Sequence, residues 1–163
     1  MKIRAAIIGM GIGQKHFEAI ENYKGSKVKI ICEKNKKKIF FLKKKFPNKI
    51  ITSNENDIFL EKKINLVSIA SYDDFHFRQI IKSIKAKKNI IIEKPMCLKK
   101  IELNKIYSFL KKNPKIKIVS NLVLRTNDLF LNFKKNIDKK KVLYIEADYL
   151  WGRKYKLSEW RSK

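Results

Sequence analysis

The feature that most constrains this chain is an alternation of short apolar runs with longer stretches of helical spacing. The short runs are mostly β-branched and lack strict polar alternation, as expected for strands buried on both faces. A parallel sheet covered by helices on both sides satisfies both patterns, so we predict a doubly wound α/β fold. The predicted strands are Ile3–Ile8, Lys27–Cys32, Lys49–Ile51, Asn65–Ala70, Asn89–Ile92 and Ile116–Ser120; the predicted helices are Gln14–Asn22, Lys36–Phe46, Asp57–Lys62, Asp73–Lys85 and Ile101–Lys112.

One predicted helix, Asp73–Lys85, has a well-defined apolar stripe. Its predicted buried residues are Phe75, Ile80, Ile81 and Ile84, because they recur at helical spacing.

The pattern changes after Ser120. Leu129–Ile137 has helical spacing, and Val142–Trp151 alternates like a strand with one solvated face. We therefore expect one domain at residues 1–121 and the incomplete beginning of a second α/β domain at residues 122–163. The predicted strand should promote self-association, because its open edge and aromatic face need a sheet to join.

The charge of the chain suggests a polyanion partner, but its composition favours a simpler interpretation. The net charge is +25, and the 40 basic residues comprise 35 lysines and only 5 arginines. Arginine is preferred for reading bases, and the lysines are spread over every predicted helix. We interpret them as solvated helix faces that bind polyanions weakly, without a specific nucleic-acid site. A basic polyanion-binding protein remains the alternative.

The two cysteines and the apolar runs exclude several classes of protein. Cys32 and Cys97 each lie in an Ile-rich run, which supports neither a disulfide framework nor a cysteine-based metal site. No run approaches the ~18 apolar residues of a membrane span, and the N-terminus lacks the features of a secretory signal. We predict a cytoplasmic protein without a membrane or metal site.

Three glycines, Gly9, Gly11 and Gly13, lie between the first predicted strand and the first predicted helix. At such a turn the missing Cβ atoms let a pyrophosphate approach the backbone, and the helix N-terminus offers free N–H groups. A plain tight turn is the alternative. A methyltransferase using S-adenosylmethionine is a weaker one, because no acidic residue directly precedes the glycines.

Glu33 ends the second predicted strand, 20 residues after Gly13. A carboxylate there is placed to accept hydrogen bonds from the ribose of an adenosine, and it repels a 2′-phosphate. This favours NAD over NADP, although Lys34 and Lys36 weaken the repulsion.

The segment N-I-I-I-E-K-P at residues 89–95 brings Glu93 and Lys94 to the end of a buried strand, before a proline turn. Together with the glycine turn, V-S-I-A-S-Y-D-D-F-H at residues 67–76 and N-L-V-L-R at residues 121–125, it resembles the Gfo/Idh/MocA family of NAD(P)-dependent oxidoreductases. The resemblance extends over essentially the whole chain.

This resemblance implies a Rossmann-type domain followed by a larger α/β domain with an antiparallel sheet, through which the full-length enzyme forms homo-oligomers. The implied reaction is hydride transfer between NAD(P) and a secondary hydroxyl of a sugar, inositol or sugar nucleotide. A nucleotide-binding module without turnover is the alternative. The implied cofactor-binding residues are Gly9, Gly11, Ile12, Gly13, Glu33, Ser71, His76, Glu93, Lys94 and Arg125, and Lys94 is also the implied catalytic residue.

The chemistry of alcohol oxidation supports a role for Lys94, because a cation can stabilise the oxygen that loses its proton. We expect this lysine to be partly buried. We expect His16 to pack and form hydrogen bonds in the first turn of its helix, and His76 to support the loop under the cofactor.

Several residues depart from the family pattern. Gln14 stands where the commoner glycine spacing has its third glycine, Tyr72 replaces a proline and Lys87 replaces a glycine. The family's Asp-x-x-x-His pair is also missing, since neither histidine has an aspartate four residues before it. We therefore expect the chain to be a poor catalyst by itself, as the N-terminal portion of a longer enzyme or a short protein that only binds nucleotide.

Overall fold

The computed structural model describes residues 2–137, 141 and 144–148. Its centre is a six-stranded sheet of parallel strands in the order β3-β2-β1-β4-β5-β6. This is the strand order of a Rossmann fold, so the predicted doubly wound α/β architecture is confirmed. The strands are β1 (Ile3–Ile8), β2 (Ser26–Cys32), β3 (Ile50–Thr52), β4 (Leu66–Ile69), β5 (Asn89–Ile92) and β6 (Ile118–Ser120).

Helices connect the strands, and their ends differ from the predicted ones by one or two residues at most. They are α1 (Gly13–Asn22), α2 (Lys36–Lys45), α3 (Asn56–Leu60), α4 (Asp73–Lys85), α5 (Lys100–Lys111) and α6 (Asp128–Asn136), with a 3-10 helix at Val123–Thr126. The Asn35 side chain caps α2 by accepting from the backbone N–H of Lys38 at 3.1 Å. This bond fixes the helix start three residues after β2.

The sheet is buried on both faces, which explains why its strands are apolar at consecutive positions. Along β1, Ala5 and Ile7 pack with residues of α1 and α2, whereas Ala6 and Ile8 pack with residues of α3, α4 and α5. Successive side chains of a strand point to opposite faces, so each face has its own apolar core.

The predicted buried stripe of α4 is wrong at one position. Phe75 is 38% exposed, whereas its neighbour His76 is fully buried, and Ile80 and Ile84 are buried as predicted. His76, Ile80 and Ile84 follow one another at four-residue spacing on the face toward the sheet. Ile81 lies at the margin of this face and is half-buried.

The chain divides into two compact units, Met1–Val123 and Leu124–Lys163. In the second unit, the Asn127 side chain caps α6 by accepting from the backbone N–H of Leu129 at 3.0 Å. Residues 144–148 of the predicted strand Val142–Trp151 have no regular secondary structure, and the rest of that segment lies outside the described residues. Within the described residues, no helix is long and apolar enough to cross a membrane.

Candidate cofactor-binding site

The carboxyl edge of the sheet collects the polar residues that the sequence singled out. Gly9 follows β1, Glu33 follows β2, Ser71 follows β4 and Glu93 follows β5. β1 and β4 are neighbours, and the connections leave them toward opposite ends of the sheet. In open α/β sheets this reversal forms the crevice where ligands bind.

The first glycine of the turn is required by the backbone. Gly9 has φ +87°, and a Cβ atom there would lie 2.5 Å from the backbone oxygen of Ala70. Gly13 has a packing role, because its Cβ would lie 3.1 Å from Ile7 Cγ2 and 3.2 Å from Ala70 Cβ. The turn therefore lies against β1 and the end of β4.

Gly11 is different, since a Cβ there would have no atom within 4 Å. Within the described part of the chain, the backbone N–H groups of Gly11, Ile12 and Gly13 donate to no protein acceptor. The Gln14 side chain does not cover them, because it lies along α1 and donates to Glu18 at 3.2 Å. Free N–H groups at the start of a ten-residue helix fit the pyrophosphate of a dinucleotide.

Glu33 is only 8% exposed, and its carboxylate has an additional role that the sequence did not indicate. One oxygen accepts from the backbone N–H of Met10 at 3.0 Å, which fixes the glycine turn to the end of β2. The other accepts from the N–H groups of Lys34 and Asn35 at 2.8 and 3.0 Å. Because a carboxylate has about four acceptor positions, one remains for a ribose hydroxyl.

Glu93 is equally buried and takes part in a side-chain network. Its Oε1 accepts from Asn121 Nδ2 at 2.5 Å and lies 2.9 Å from His16 Nε2. The other ring nitrogen, His16 Nδ1, lies 2.7 Å from Ser68 Oγ. Burial alone raises the pKa of the Glu93 carboxyl, but hydrogen bonds from Asn121 and His16 outweigh it and hold the pKa below the usual value.

Lys94 is exposed, so the expectation that it is partly buried is wrong. It lies beyond the end of β5, and Glu93 takes the buried position instead. The backbone N–H of Lys94 donates to Glu93 Oε2 at 3.3 Å, which ties the turn to the buried carboxylate. The following Lys94–Pro95 peptide bond is cis.

His76 joins the loop after β4 to the turn after β5. Its Nδ1 lies 2.7 Å from the backbone oxygen of Pro95, and its Nε2 lies 3.1 Å from that of Ser71. The ring is fully buried. His76 thus supports the two loops that carry Ser71 and Lys94.

A second polar chain extends from Ser71 and was missed from the sequence. Ser71 Oγ donates to Gln79 Oε1 at 2.6 Å, and Gln79 Nε2 donates to Glu55 Oε2 at 2.8 Å. Burial raises the pKa of Glu55, but hydrogen bonds from Lys82 and Gln79 lower it more. In the sequence, Gln79 and Ser83 directly precede the predicted stripe residues Ile80 and Ile84, and this position was the signal that these polar residues are buried.

The structure places Arg125 in the 3-10 helix Val123–Thr126, where it is exposed. This residue belongs to the second unit, whereas the other predicted site residues belong to the first. Its role in cofactor binding stays a prediction. Within the described residues, no group of three or more His, Cys, Asp or Glu side chains could hold a metal ion.

Residues 3–121 match the family model described as "oxidoreductase family, NAD-binding Rossmann fold". The chain belongs to the Gfo/Idh/MocA oxidoreductase family. The match spans the six-stranded sheet and ends at Asn121, so the first unit is the NAD-binding Rossmann domain of this family. The resemblance drawn from the glycine turn and the Glu93-Lys94-Pro95 segment is confirmed.

Solved structures of the Gfo/Idh/MocA type share this domain. Myo-inositol 2-dehydrogenase from Lactobacillus plantarum is 26% identical with a TM-score of 0.76, over 83% of this chain and 40% of that one. Scyllo-inositol dehydrogenase from Lactobacillus casei, with NAD(H) and scyllo-inositol bound, is 21% identical with a TM-score of 0.77, over 83% and 40%. The chain thus spans about two fifths of the length of these enzymes.

Proposed function

We propose that this chain binds NAD across the carboxyl edge of its sheet and serves hydride transfer to or from a secondary hydroxyl of a sugar, inositol or sugar nucleotide. The observation that carries the proposal is the glycine turn. Its three free N–H groups, at Gly11, Ile12 and Gly13, lie at the same edge as Glu33 and Lys94. Family membership supplies the cofactor class.

The adenosine end of the proposed site is formed by β1 and β2. The glycine turn would hold the pyrophosphate, and the remaining acceptor position of Glu33 would bind a ribose hydroxyl. A 2′-phosphate would meet this buried carboxylate, so we propose NAD as the preferred cofactor. Lys34 and Lys36, both exposed, reduce the discrimination against NADP.

The reaction end is formed by β4 and β5. NAD, when bound, exchanges a hydride with the substrate carbon. An alcohol that loses hydride must also lose its hydroxyl proton to a base or to water, and the exposed ammonium group of Lys94 is suited to stabilise the oxygen left behind by donating a hydrogen bond to it. Glu93 is not suited to this role, because the structure buries it and Asn121 already donates to its Oε1. Ser71, His76 and Glu93 would shape the loops around the nicotinamide.

The substrate class rests on the comparison at 26% identity, whose enzyme is named for the oxidation of myo-inositol. We therefore propose a cyclic polyol or a sugar as the substrate. We also propose that residues 122–163 begin a substrate domain that contributes Arg125 to the site and a sheet to a homo-oligomer. The poor catalysis expected of these 163 residues alone stays a prediction.

A fluorescence titration with NADH tests cofactor binding. We expect the protein to bind NADH at micromolar to low millimolar concentration and Glu33→Ala to weaken binding about 10- to 100-fold, since hydrogen bonds to charged groups contribute ~1.5–3 kcal/mol. Glu61→Ala is the matched control, because it removes one carboxylate before β4, at the opposite edge of the sheet, and should leave the Kd unchanged. Tight RNA binding without NADH binding would favour the polyanion-binding alternative.

A further inference from the structure

Four polar side chains from four separate segments meet beneath the Glu93-Lys94 turn. Ser68 comes from β4, His16 from α1, Glu93 from the end of β5 and Asn121 from the residue after β6. Ser68 is 0% exposed, and His16 and Glu93 are also buried. No side-chain polar atom buried in the described part of the chain lacks a hydrogen-bond partner.

The hydrogen bonds of this network assign the proton of the His16 ring. A carboxylate can only accept, so His16 Nε2, 2.9 Å from Glu93 Oε1, must be the donor. Nδ1 of the neutral ring then accepts from the Ser68 hydroxyl at 2.7 Å. Asn121 Nδ2 also lies 3.3 Å from Nε2, but it donates to Glu93 Oε1, which is closer, so the order Ser68 to His16 to Glu93 leaves each of these groups with a partner.

Such an order resembles that of a nucleophilic triad, but burial excludes the chemistry. A nucleophilic serine must reach a substrate, whereas the Ser68 side chain lies wholly inside the protein. The network therefore acts on the protein itself.

Its position connects the two ends of the proposed cofactor site. His16 lies three residues after Gly13, within the first turn of α1, whose N-terminus carries the free N–H groups. Its partner Glu93 directly precedes Lys94 and accepts from the Lys94 backbone N–H. Within the described residues, His16 is the one side chain of α1 that forms a hydrogen bond with the Glu93-Lys94 turn.

We propose that His16 is a positioning residue that fixes the Glu93-Lys94 turn relative to the phosphate-binding start of α1. This inference rests on the proposed function and adds a residue to it. A cofactor whose pyrophosphate holds the start of α1 thereby also holds Glu93, and the backbone of Lys94 stays at a fixed place along the bound dinucleotide. Glu93 selects the tautomer that makes this possible, and the Ser68 hydroxyl satisfies the other ring nitrogen.

A double-mutant cycle in NADH binding tests the coupling. We expect His16→Ala to raise the Kd about 10-fold in the wild-type background and by less than about twofold in a Glu93→Ala background, which has no acceptor for Nε2, since contacting residues couple and distant ones do not. His16→Gln should restore most of the affinity, because its amide can donate to Glu93. An equal effect of His16→Ala in both backgrounds, without rescue by glutamine, would show that His16 only fills space and would overturn the proposal.

Nitrogen NMR of the histidine ring gives a readout that needs no cofactor. In the neutral ring we expect the His16 proton on Nε2. Glu93→Ala should let the Nδ1–H form appear, because it removes the acceptor at Nε2, whereas Glu61→Ala, at the opposite edge of the sheet, should not change the spectrum. A proton on Nδ1 in the wild type overturns the inference, whereas absence of NADH binding with the Nε2–H form present overturns the proposed function.

Discussion

The two ends of the candidate site are built from different materials. At the β1–β2 end, the proposed binding groups are backbone N–H groups of the glycine turn. A single side chain, Glu33, fixes this turn by accepting a hydrogen bond from the backbone N–H of Met10. At the β4–β5 end, side chains hold other side chains, as His16 and Asn121 hold Glu93. The first end is sensitive to any added atom, whereas the second is sensitive to the loss of a donor or acceptor.

The largest expected effect concerns Gly9 and breaks the backbone-built end. Gly9→Ala should lower the free energy of unfolding by about 3 kcal/mol, because a positive φ costs ~1–2 kcal/mol for alanine and the Cβ would also overlap the Ala70 carbonyl. Urea unfolding measures this.

Gly25→Ala is the matched control, since Gly25 has φ +85° but no atom within 4 Å of its Cβ position. Gly25→Ala should lower the free energy of unfolding only by the ~1–2 kcal/mol that a positive φ costs alanine. Equal losses at both glycines would mean that contact with Ala70 is unimportant.

Substitutions at Gly11 and Gly13 should affect different quantities, the Kd for NADH and the free energy of unfolding. Gly13→Ala should cost about 1–2 kcal/mol of unfolding free energy, because Ile7 and Ala70 must move away from the new Cβ. Gly11→Ala has space and should change stability by less than about 0.5 kcal/mol, yet weaken NADH binding about 10-fold where the Cβ meets the pyrophosphate. Unfolding curves and NADH titrations of both variants decide this, and unchanged binding by Gly11→Ala would contradict the proposed phosphate position.

Acid unfolding examines the side-chain-built end. Hydrogen bonds from Asn121 and His16 outweigh burial and lower the pKa of Glu93 in the folded protein. The stabilisation is therefore complete above the unfolded-state value of ~4.3 and is lost as the pH falls through the lower folded-state pKa. Glu93→Gln should lose less stability than the wild type between pH ~6 and ~3. Urea unfolding at several pH values measures this, with Glu61→Gln as the control, and identical slopes for Glu93→Gln and wild type would refute it.

The smallest effect is a gain, at a residue outside both ends. Lys87 has φ +57° and precedes β5 at the opposite edge of the sheet. Lys87→Gly should raise the unfolding free energy by about 0.5–1 kcal/mol, because glycine adopts this backbone conformation without the steric cost. Thermal unfolding should show a higher Tm with an unchanged Kd for NADH, and a lower Tm would show that the lysine side chain contributes more than its conformation costs.

The sequence predicted the fold and the backbone-built end of the site better than the side-chain-built end. The Ile-rich runs and lysine-faced helices predicted the sheet and α1 to α5, because periodicity records which faces are buried. The glycines and Glu33 were predictable because a turn between a strand and a helix has local requirements. The burial of His76 in place of Phe75 was missed, since the apolar pattern cannot show that the backbone oxygens of Ser71 and Pro95 lie within hydrogen-bond distance of the two ring nitrogens.

The network around Glu93 was beyond sequence reasoning for a physical reason. His16 and Glu93 are 77 residues apart, and Asn121 is a further 28 residues along the chain. The parallel pairing of β1, β4, β5 and β6 brings their side chains together, and no local pattern encodes that meeting. The sequence identified Glu93 and Lys94 as important but assigned His16 only a local role.

Backbone amide NMR of the labelled protein, recorded during addition of NAD, examines the proposed phosphate site at the glycine turn. We expect the largest shifts at Gly11, Ile12 and Gly13, with smaller ones at Lys34 and Lys94, and no shift at Gly25 at the opposite edge. Shifts confined to the lysine-rich surface of α2, or no shift at the glycine turn at saturating NAD, would contradict this proposal.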